Sequence, residues 1–334
     1  IKMIICRTPL RISFFGGGTD FPRWYTKENG EVISSTIDKY VYVLVRNLPP
    51  VFQFNYRLRY FNNEFVKNIA EIKHPSIREV LKKFHTKKQG LEINYSSDLP
   101  AQSGLGSSSA FSVSLIHAIK ELNDEKKTKL YIADKARMVE QDLLKENVGS
   151  QDHYACAFGG FNSIKFYKNH KVKVIPLNVK EEKLNYLKNM STLVFTGFSR
   201  SADEIEKSKL KKFNKNKFYL NDISQITKEA KKVFSSKKSK YETLLEISKL
   251  LNETWMIKKK LSNLVSSNKI DQIFEYAFKN GASSGKLLGA GGGGFCLFLS
   301  KNMKEKKKLI KSLKQHSIVD YNFEKLGSQI LYNK

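Results

Sequence analysis

Asp98-Leu-Pro-Ala-Gln-Ser-Gly-Leu-Gly-Ser-Ser-Ser-Ala110 sets two glycines and four serines between two regularly patterned runs. Ahead of it, Leu91-Glu-Ile-Asn-Tyr95 alternates apolar and polar residues, which predicts a half-buried strand. Behind it, Ala110, Val113, Leu115, Ile116, Ala118 and Ile119 predict an apolar-rich helix. A loop of small residues running into a helix N-terminus presents unpaired N–H groups and the positive end of the helix dipole. That arrangement suits a phosphate. Serine hydroxyls are also groups that hold a metal ion riding on a phosphate. A flexible turn in which Ser107 only caps the helix explains the same residues equally well.

Two more glycine-rich loops tip that balance. Gly16-Gly-Gly-Thr-Asp20 follows a strand-like run, and Gly289-Ala-Gly-Gly-Gly-Gly294 precedes the apolar strand 295–299. Consecutive glycines mark a backbone that something else approaches closely. Neither standard nucleotide fingerprint fits. Gly16 to Asp20 lacks the G-x-G-x-x-G spacing, and Gly281-Ala-Ser-Ser-Gly285-Lys286-Leu287 has one residue too few for a P-loop and no Ser/Thr after its lysine.

The elements around these loops read as a mixture of strands and helices. Residues 3–15 predict two strand-like runs split at Pro9, and 31–46 one or two long strands rich in β-branched and aromatic residues. Further strand is expected over 52–66, and a helix over 74–85 with Pro75 in its first turn. A second helix over 127–145 ends at Asn147 and Gly149, and a hairpin over 161–177 turns near Asn169. A polar segment at 178–190 marks a boundary, so residues 1–180 and 181–334 are expected as two domains. Beyond it come a strand at 191–196, three or four lysine-rich helices over 202–280, a basic helix over 304–316 and a final strand or two.

Composition bounds the function. With 334 residues, 40% hydrophobic, the chain can bury two ordinary cores. No apolar run approaches the roughly 20 residues of a membrane span, and the first residues read as a strand rather than a signal peptide. Cys6, Cys156 and Cys296 show no metal spacing, so buried thiols in a reducing cytoplasm are expected. The net charge of +27 is spread along the chain, and Lys207–Lys217, Lys258–Lys260 and Lys304–Lys308 read as solvated helix faces. The charge then points weakly to anionic ligands, with no nucleic acid and no membrane as partners.

The three loops resemble the motifs of the GHMP small-molecule kinases. Arg7-Thr-Pro-Leu-Arg-Ile-Ser-Phe-Phe-Gly-Gly-Gly-Thr-Asp-Phe-Pro22 is similar to the family's first motif, Pro100 to Ala110 to its second, and Lys286 to Phe295 to its third, in family order over nearly the whole chain. The resemblance implies an α+β, two-domain fold of mixed sheets with helices packed on them. ATP and substrate then lie in the cleft between domains. It implies that Ser103, Gly104, Leu105, Gly106, Ser107, Ser108 and Ser109 wrap the ATP phosphates and that Ser107 and Glu140 hold Mg2+. Glu140 lies 12 residues ahead of Asp152, the family's separation between its metal-binding Glu and catalytic Asp. Asp152 is thus expected to accept or orient the acceptor's hydroxyl proton, and Arg11 to stabilise the transferring phosphoryl group. Gly17, Gly18, Thr19, Asp20, Arg200, Gly291 and Gly292 are expected on the substrate. Taken singly, each has a plainer reading: Glu140 as a solvent contact, Asp152 as the cap of a helix starting at His153, Arg11 as a surface cation, Arg200 as a helix-flanking cation. His153 reads as a satisfied helix residue rather than a base.

The Phe-Phe-Gly-Gly-Gly-Thr-Asp-Phe-Pro form of the first motif and Thr196-Gly-Phe-Ser-Arg-Ser-Ala-Asp-Glu-Ile205 resemble the family branch that phosphorylates heptose phosphates and fucose. The first expectation is transfer of the ATP γ-phosphoryl to the anomeric hydroxyl of D-glycero-D-manno-heptose 7-phosphate, for surface polysaccharide. A kinase of an unphosphorylated sugar such as fucose comes second, and a non-enzymatic nucleic-acid binder third. A homodimer stays open.

Overall fold

The computed structural model describes residues 2–87, 89–199 and 202–334. Two long strands carry the first half: Met3–Phe15 and Gly30–Asn47 pair antiparallel along nearly their whole length. The β-branched and aromatic content of 31–46 thus forms one strand. Pro9 does not split the first run in two. The ladder instead shifts register between Pro9 and Arg11, because proline brings no N–H to the ladder. The Arg11 N–H then reaches out of the sheet to the Leu105 carbonyl at 2.9 Å.

Leu91–Ser97 extends this sheet on one side, followed by Tyr56–Arg59 and Asn63–Val66. The expected hairpin forms as Phe161–Phe166 with Val172–Pro176, and its first strand pairs with Gly30–Ser35. The serine-rich helix Ser107–Leu122 packs on the two long strands. Val113, Ile116 and Ala118 meet Ile4, Val43 and Phe14 in one fully buried cluster. Each such aliphatic or aromatic side chain contributes about 1.5–3 kcal/mol by leaving water.

A second sheet of four strands, in the order Ile318–Val319, Ser191–Phe195, Phe295–Leu299 and Ser284–Leu287, has its own core. There Trp255 stacks on Phe274 with ring centres 5.0 Å apart. Four helices, Ala202–Lys211, Phe213–Phe234, Lys240–Lys260 and Asn268–Lys279, form where three or four were expected over 202–280. The polar segment near 180 leads through helix Glu181–Met190 into this sheet. The last strands depart from the expected division. Phe323–Glu324 and Gln329–Asn333 return to the first sheet, with Ile4 opposite Asn333, so the two sheets do not divide the chain at a single point. Among the described residues no helix is long and apolar enough to cross a membrane, and all three cysteines are buried and free.

The helix expected over 127–145 holds its α form only from Lys129 to Arg137. It then widens into a π-type turn, Met138–Leu143, which carries Glu140 inward.

Candidate active site

Gly106 sits at the N-cap of the serine-rich helix with φ +77°, a left-handed conformation that glycine accepts at no steric cost. Ser107 therefore opens the helix instead of capping it. The amides of Ser107, Ser108 and Ser109 precede the first intrahelical donor, Ala110, whose N–H returns to Gly106 O at 2.9 Å. The second and third glycine loops touch backbone to backbone: a Cβ added at Gly289 would lie 2.5 Å from Gly104 Cα. Arg11, from the first motif, donates through Nη1 to Gly104 O at 2.6 Å. The three loops, far apart in sequence, enclose one cleft.

Glu140 is fully buried behind that loop. It accepts hydrogen bonds from Ser108 at 3.1 Å, Ser109 at 3.0 Å and Ser112 at 2.8 Å. Its fourth partner is His153, whose Nε2 lies 2.8 Å away while Nδ1 faces Ser150 O at 3.3 Å. Burial alone would raise the Glu140 carboxyl, but the His153 charge and the four bonds outweigh it and hold it below the usual range. The same pairing overcomes burial at His153 and raises it, so the two form an ion pair in the interior.

Asp152 lies in the first turn of helix Gln151–Phe158. Arg11 grips both its oxygens, Nε to Oδ1 at 2.8 Å and Nη2 to Oδ2 at 2.7 Å. This pair stands where two cavities meet. One is lined by Gly104, Gly106, Ser107, Ser108, Ser109 and Glu140; the other by Gly17, Gly18, Asp20, Gln151, Lys258 and Lys286; Arg11, Asp152 and Gly289 line both. Asp20 is buried, with Oδ1 accepting from Gly18 N at 2.9 Å and Oδ2 from Gln151 N at 3.1 Å. Burial pushes its carboxyl up despite those two amides. A site of this build can hold a polyphosphate on one side and a polar acceptor on the other, with a carboxylate and a guanidinium between them.

Gly17, Gly18 and Asp20 line the cavity that could take a polar acceptor, and Gly104, Gly106 and Ser107 to Ser109 the one that could take phosphate. Several residues sit elsewhere. Thr19 is fully buried and its hydroxyl braces the loop by donating to Gly16 O at 2.8 Å. Gly291 lines the phosphate-side cavity, and the Gly292 N–H is spent on Val265 O at 2.9 Å. Ser103 and Leu105 are fully buried and act through their carbonyls, which accept from Phe295 N and Arg11 N. Arg200 lies outside the described residues.

Sequence alone assigned no part in the site to five residues: His153, Glu146, Asp203, Lys258 and Lys286. His153 serves as the buried partner of Glu140. Glu146 and Asp203 line the phosphate side; burial, Glu140 and Asp203 push Glu146 up to about 7. Lys258, read as part of a solvated run, is 8% exposed and turned inward, since the helix places only one of three consecutive lysines on its core face. Lys286, seen only as part of a failed P-loop, is 4% exposed. The apolar spacing of helix Lys240–Lys260 was the available signal: Leu244, Leu251, Trp255 and Lys258 share one face.

Fold and cleft together define a small-molecule kinase. The profile of the GHMP kinases N terminal domain matches residues 67–160, and that of the GHMP kinases C terminal matches 236–318. The chain is 34% identical over 338 residues to D-glycero-alpha-D-manno-heptose 7-phosphate kinase of Campylobacter jejuni, with 98% of each chain covered. It superposes with a TM-score of 0.80 on the crystal structure of a D-glycero-D-manno-heptose 1-phosphate kinase from Bacteroides thetaiotaomicron, at 22% identity over 98% of this chain and 99% of that one. With a sugar kinase structure from Campylobacter jejuni, described as putative, the TM-score is 0.75 at 28% identity, covering 99% and 98%. The chain belongs to the GHMP kinase family. It is an enzyme, a phosphotransferase with an alcohol group as acceptor, of a family that uses ATP.

Proposed function

We propose that this enzyme transfers the γ-phosphoryl group of ATP to the anomeric hydroxyl of D-glycero-D-manno-heptose 7-phosphate, giving the 1,7-bisphosphate in the cytoplasm, for GDP-heptose and surface polysaccharide. The likeness over the full length to the Campylobacter jejuni enzyme supports the acceptor. The observation that carries the reaction is the Arg11–Asp152 pair at the junction of the two cavities.

The phosphates of ATP rest on the amides of Ser107, Ser108 and Ser109, where the helix dipole adds to the attraction. Gly104 and Gly106 leave room for that approach. Ser107 and Glu140 line the same cavity and would be the groups offered to Mg2+. The four acceptor positions of Glu140 are filled by Ser108, Ser109, Ser112 and His153, so it would reach the ion only by releasing a serine. A nucleotide-bound Mg2+ asks the protein for only one or two groups, the rest coming from phosphate and water. It would neutralise charge on the transferring group. His153 would keep the Glu140 carboxylate oriented for that role.

On the acceptor side, Asp20 and the amides of Gly17 and Gly18 orient sugar hydroxyls. Arg200 is assigned to the substrate by family resemblance. Asp152 keeps lone pairs beyond the two that face Arg11, and with one of them takes the anomeric hydroxyl proton as the oxygen attacks phosphorus. Arg11 sets the rotamer of Asp152 and faces the charge that builds on the transferring oxygens. Domains 1–180 and 181–334 then supply the walls of the cleft, apart from the returning C-terminal strands.

A phosphoryl-acceptor screen over hexoses, heptoses and their phosphates, reading ADP release, tests the reading. Heptose 7-phosphate is expected to give the highest kcat/KM and a product that carries phosphate at both ends. A free sugar such as fucose as the best acceptor, or phosphorylation elsewhere on the heptose, overturns it.

A further inference from the structure

The acceptor-side cavity is walled by four cations: Arg11, Lys209, Lys258 and Lys286. Two are neutralised on the spot, Arg11 by Asp152 and Lys209 by Glu206. The other two have no direct ion pair, although the Asp20 and Glu206 carboxylates line the same cavity and Glu206 partly offsets the charge of Lys258. Lys258 Nζ donates to Leu287 O at 2.9 Å and to Gly289 O; Lys286 Nζ donates to Ser13 O at 3.0 Å and Phe14 O at 2.8 Å. Among the described residues, neither lysine forms an ion pair. Both are more than nine-tenths buried.

We propose that Lys258 and Lys286 form the subsite for a phosphate monoester already carried by the acceptor, an inference that rests on the acceptor class given above. A buried ammonium with only carbonyl partners is costly, and two that repel each other cost more. Burial and then the charge of Lys286 hold the Lys258 amine well below its ordinary range. A dianion between them relieves both penalties. Each ammonium has three N–H donors and spends two on carbonyls, so one per lysine is left for a phosphate oxygen. A purely structural role, bracing the backbone at Gly289 and Phe14, needs hydrogen bonds but not two buried amines lining one cavity.

The location separates this phosphate from the one being transferred. Lys258 and Lys286 line the cavity that holds Asp20, whereas the cavity beside Ser107 to Ser109 includes Arg11 but neither lysine. Their carriers differ too: Lys286 sits on the strand Ser284–Leu287 and Lys258 in the last turn of helix Lys240–Lys260. The two elements pack directly on each other, and both side chains line the one cavity.

The test compares kcat/KM for heptose 7-phosphate with that for the dephosphorylated heptose in wild type, Lys258→Met and Lys286→Met. Methionine keeps the length of the buried stem without the charge, and thermal melting confirms folding. Each variant is expected to lose about 30-fold or more of the preference for the phosphorylated acceptor, mostly in KM, with ATP affinity unchanged. Inorganic phosphate is expected to inhibit wild type competitively against the acceptor and to lose that effect in both variants. This second arm stands on wild type alone should a variant fail to fold: phosphate that competes only with ATP overturns the subsite. An unchanged preference in both variants, or an equal fall in kcat on both acceptors with KM intact, also overturns it while leaving the acceptor class standing. A wild type that ignores the phosphate overturns the acceptor class itself.

Discussion

Arg11 holds both carboxylate oxygens of Asp152, at 2.8 and 2.7 Å, across a separation of 141 residues and at the junction of two cavities. Neither residue acts independently in such an arrangement. Asp152→Asn is expected to keep ATP affinity near normal and to lower kcat by about 100- to 10,000-fold. Arg11→Ala leaves the carboxylate unoriented, so the double variant should be little worse than either single one. Stopped-flow ATP binding and steady-state kcat check both statements; fully additive losses would show that the two residues work apart.

The Glu140–His153 pair is a fully buried charge pair beside the cleft. His153→Leu leaves a buried carboxylate without its countercharge, a change that costs about 3–5 kcal/mol. His153→Gln retains a donor and should cost less. In the background of Glu140→Gln, the effect of His153→Leu should shrink, because no charge remains to be matched. Denaturant unfolding of the four proteins measures this coupling.

Glu146 gives the fold a pH dependence of unusual sign for a carboxylate. Its pKa in the folded protein, about 7, stands above the ordinary 4.5, through burial and the charges of Glu140 and Asp203. Between those values the folded state holds more protons than the unfolded one, so the group's stability contribution is complete below about 4.5 and is lost as pH rises to about 7. The melting temperature of Glu146→Gln is expected to fall less than that of wild type between pH 5 and pH 8. Identical shifts would remove Glu146 as the source.

Lys286 works in the opposite direction for binding. Burial and the nearby Arg11 push its amine down to about 7 in the free enzyme. A phosphate monoester must find it protonated, so kcat/KM for the phosphorylated acceptor should decline as pH rises above about 7. In Lys286→Met that limb of the profile should flatten. The dephosphorylated acceptor should show little of it in either protein.

Gly149 controls Asp20 by proximity. A Cβ there would lie 2.1 Å from Asp20 Oδ2, so Gly149→Ala must displace the carboxylate or the turn. The KM for the acceptor is expected to rise at least about tenfold with little change in ATP affinity. Equal losses for both substrates would mean that the whole cleft had shifted.

Local patterning in the sequence was enough for the strands, for most helices and for the three glycine loops, because period, capping and β-branching act over a few neighbours. It also placed Arg11, Glu140 and Asp152 together through motif order. The Pro9 irregularity read as a break, since whether a proline ends a strand or only shifts its ladder depends on the partner strand. The inward lysines were hidden for a related reason: in a run such as Lys258-Lys-Lys260, only the packing of the helix decides which ammonium faces water.

The chain's own residues determined that loops rich in glycine and serine and a pair of acids exist, because glycine, serine and carboxylate chemistry is local. Tertiary structure decided who meets whom: His153 with Glu140, Arg11 with Asp152, Lys258 with Lys286. Those pairings join residues 13, 141 and 28 positions apart. Their energies come from burial and the loss of water around charge, which no stretch of sequence contains until the sheets close over it.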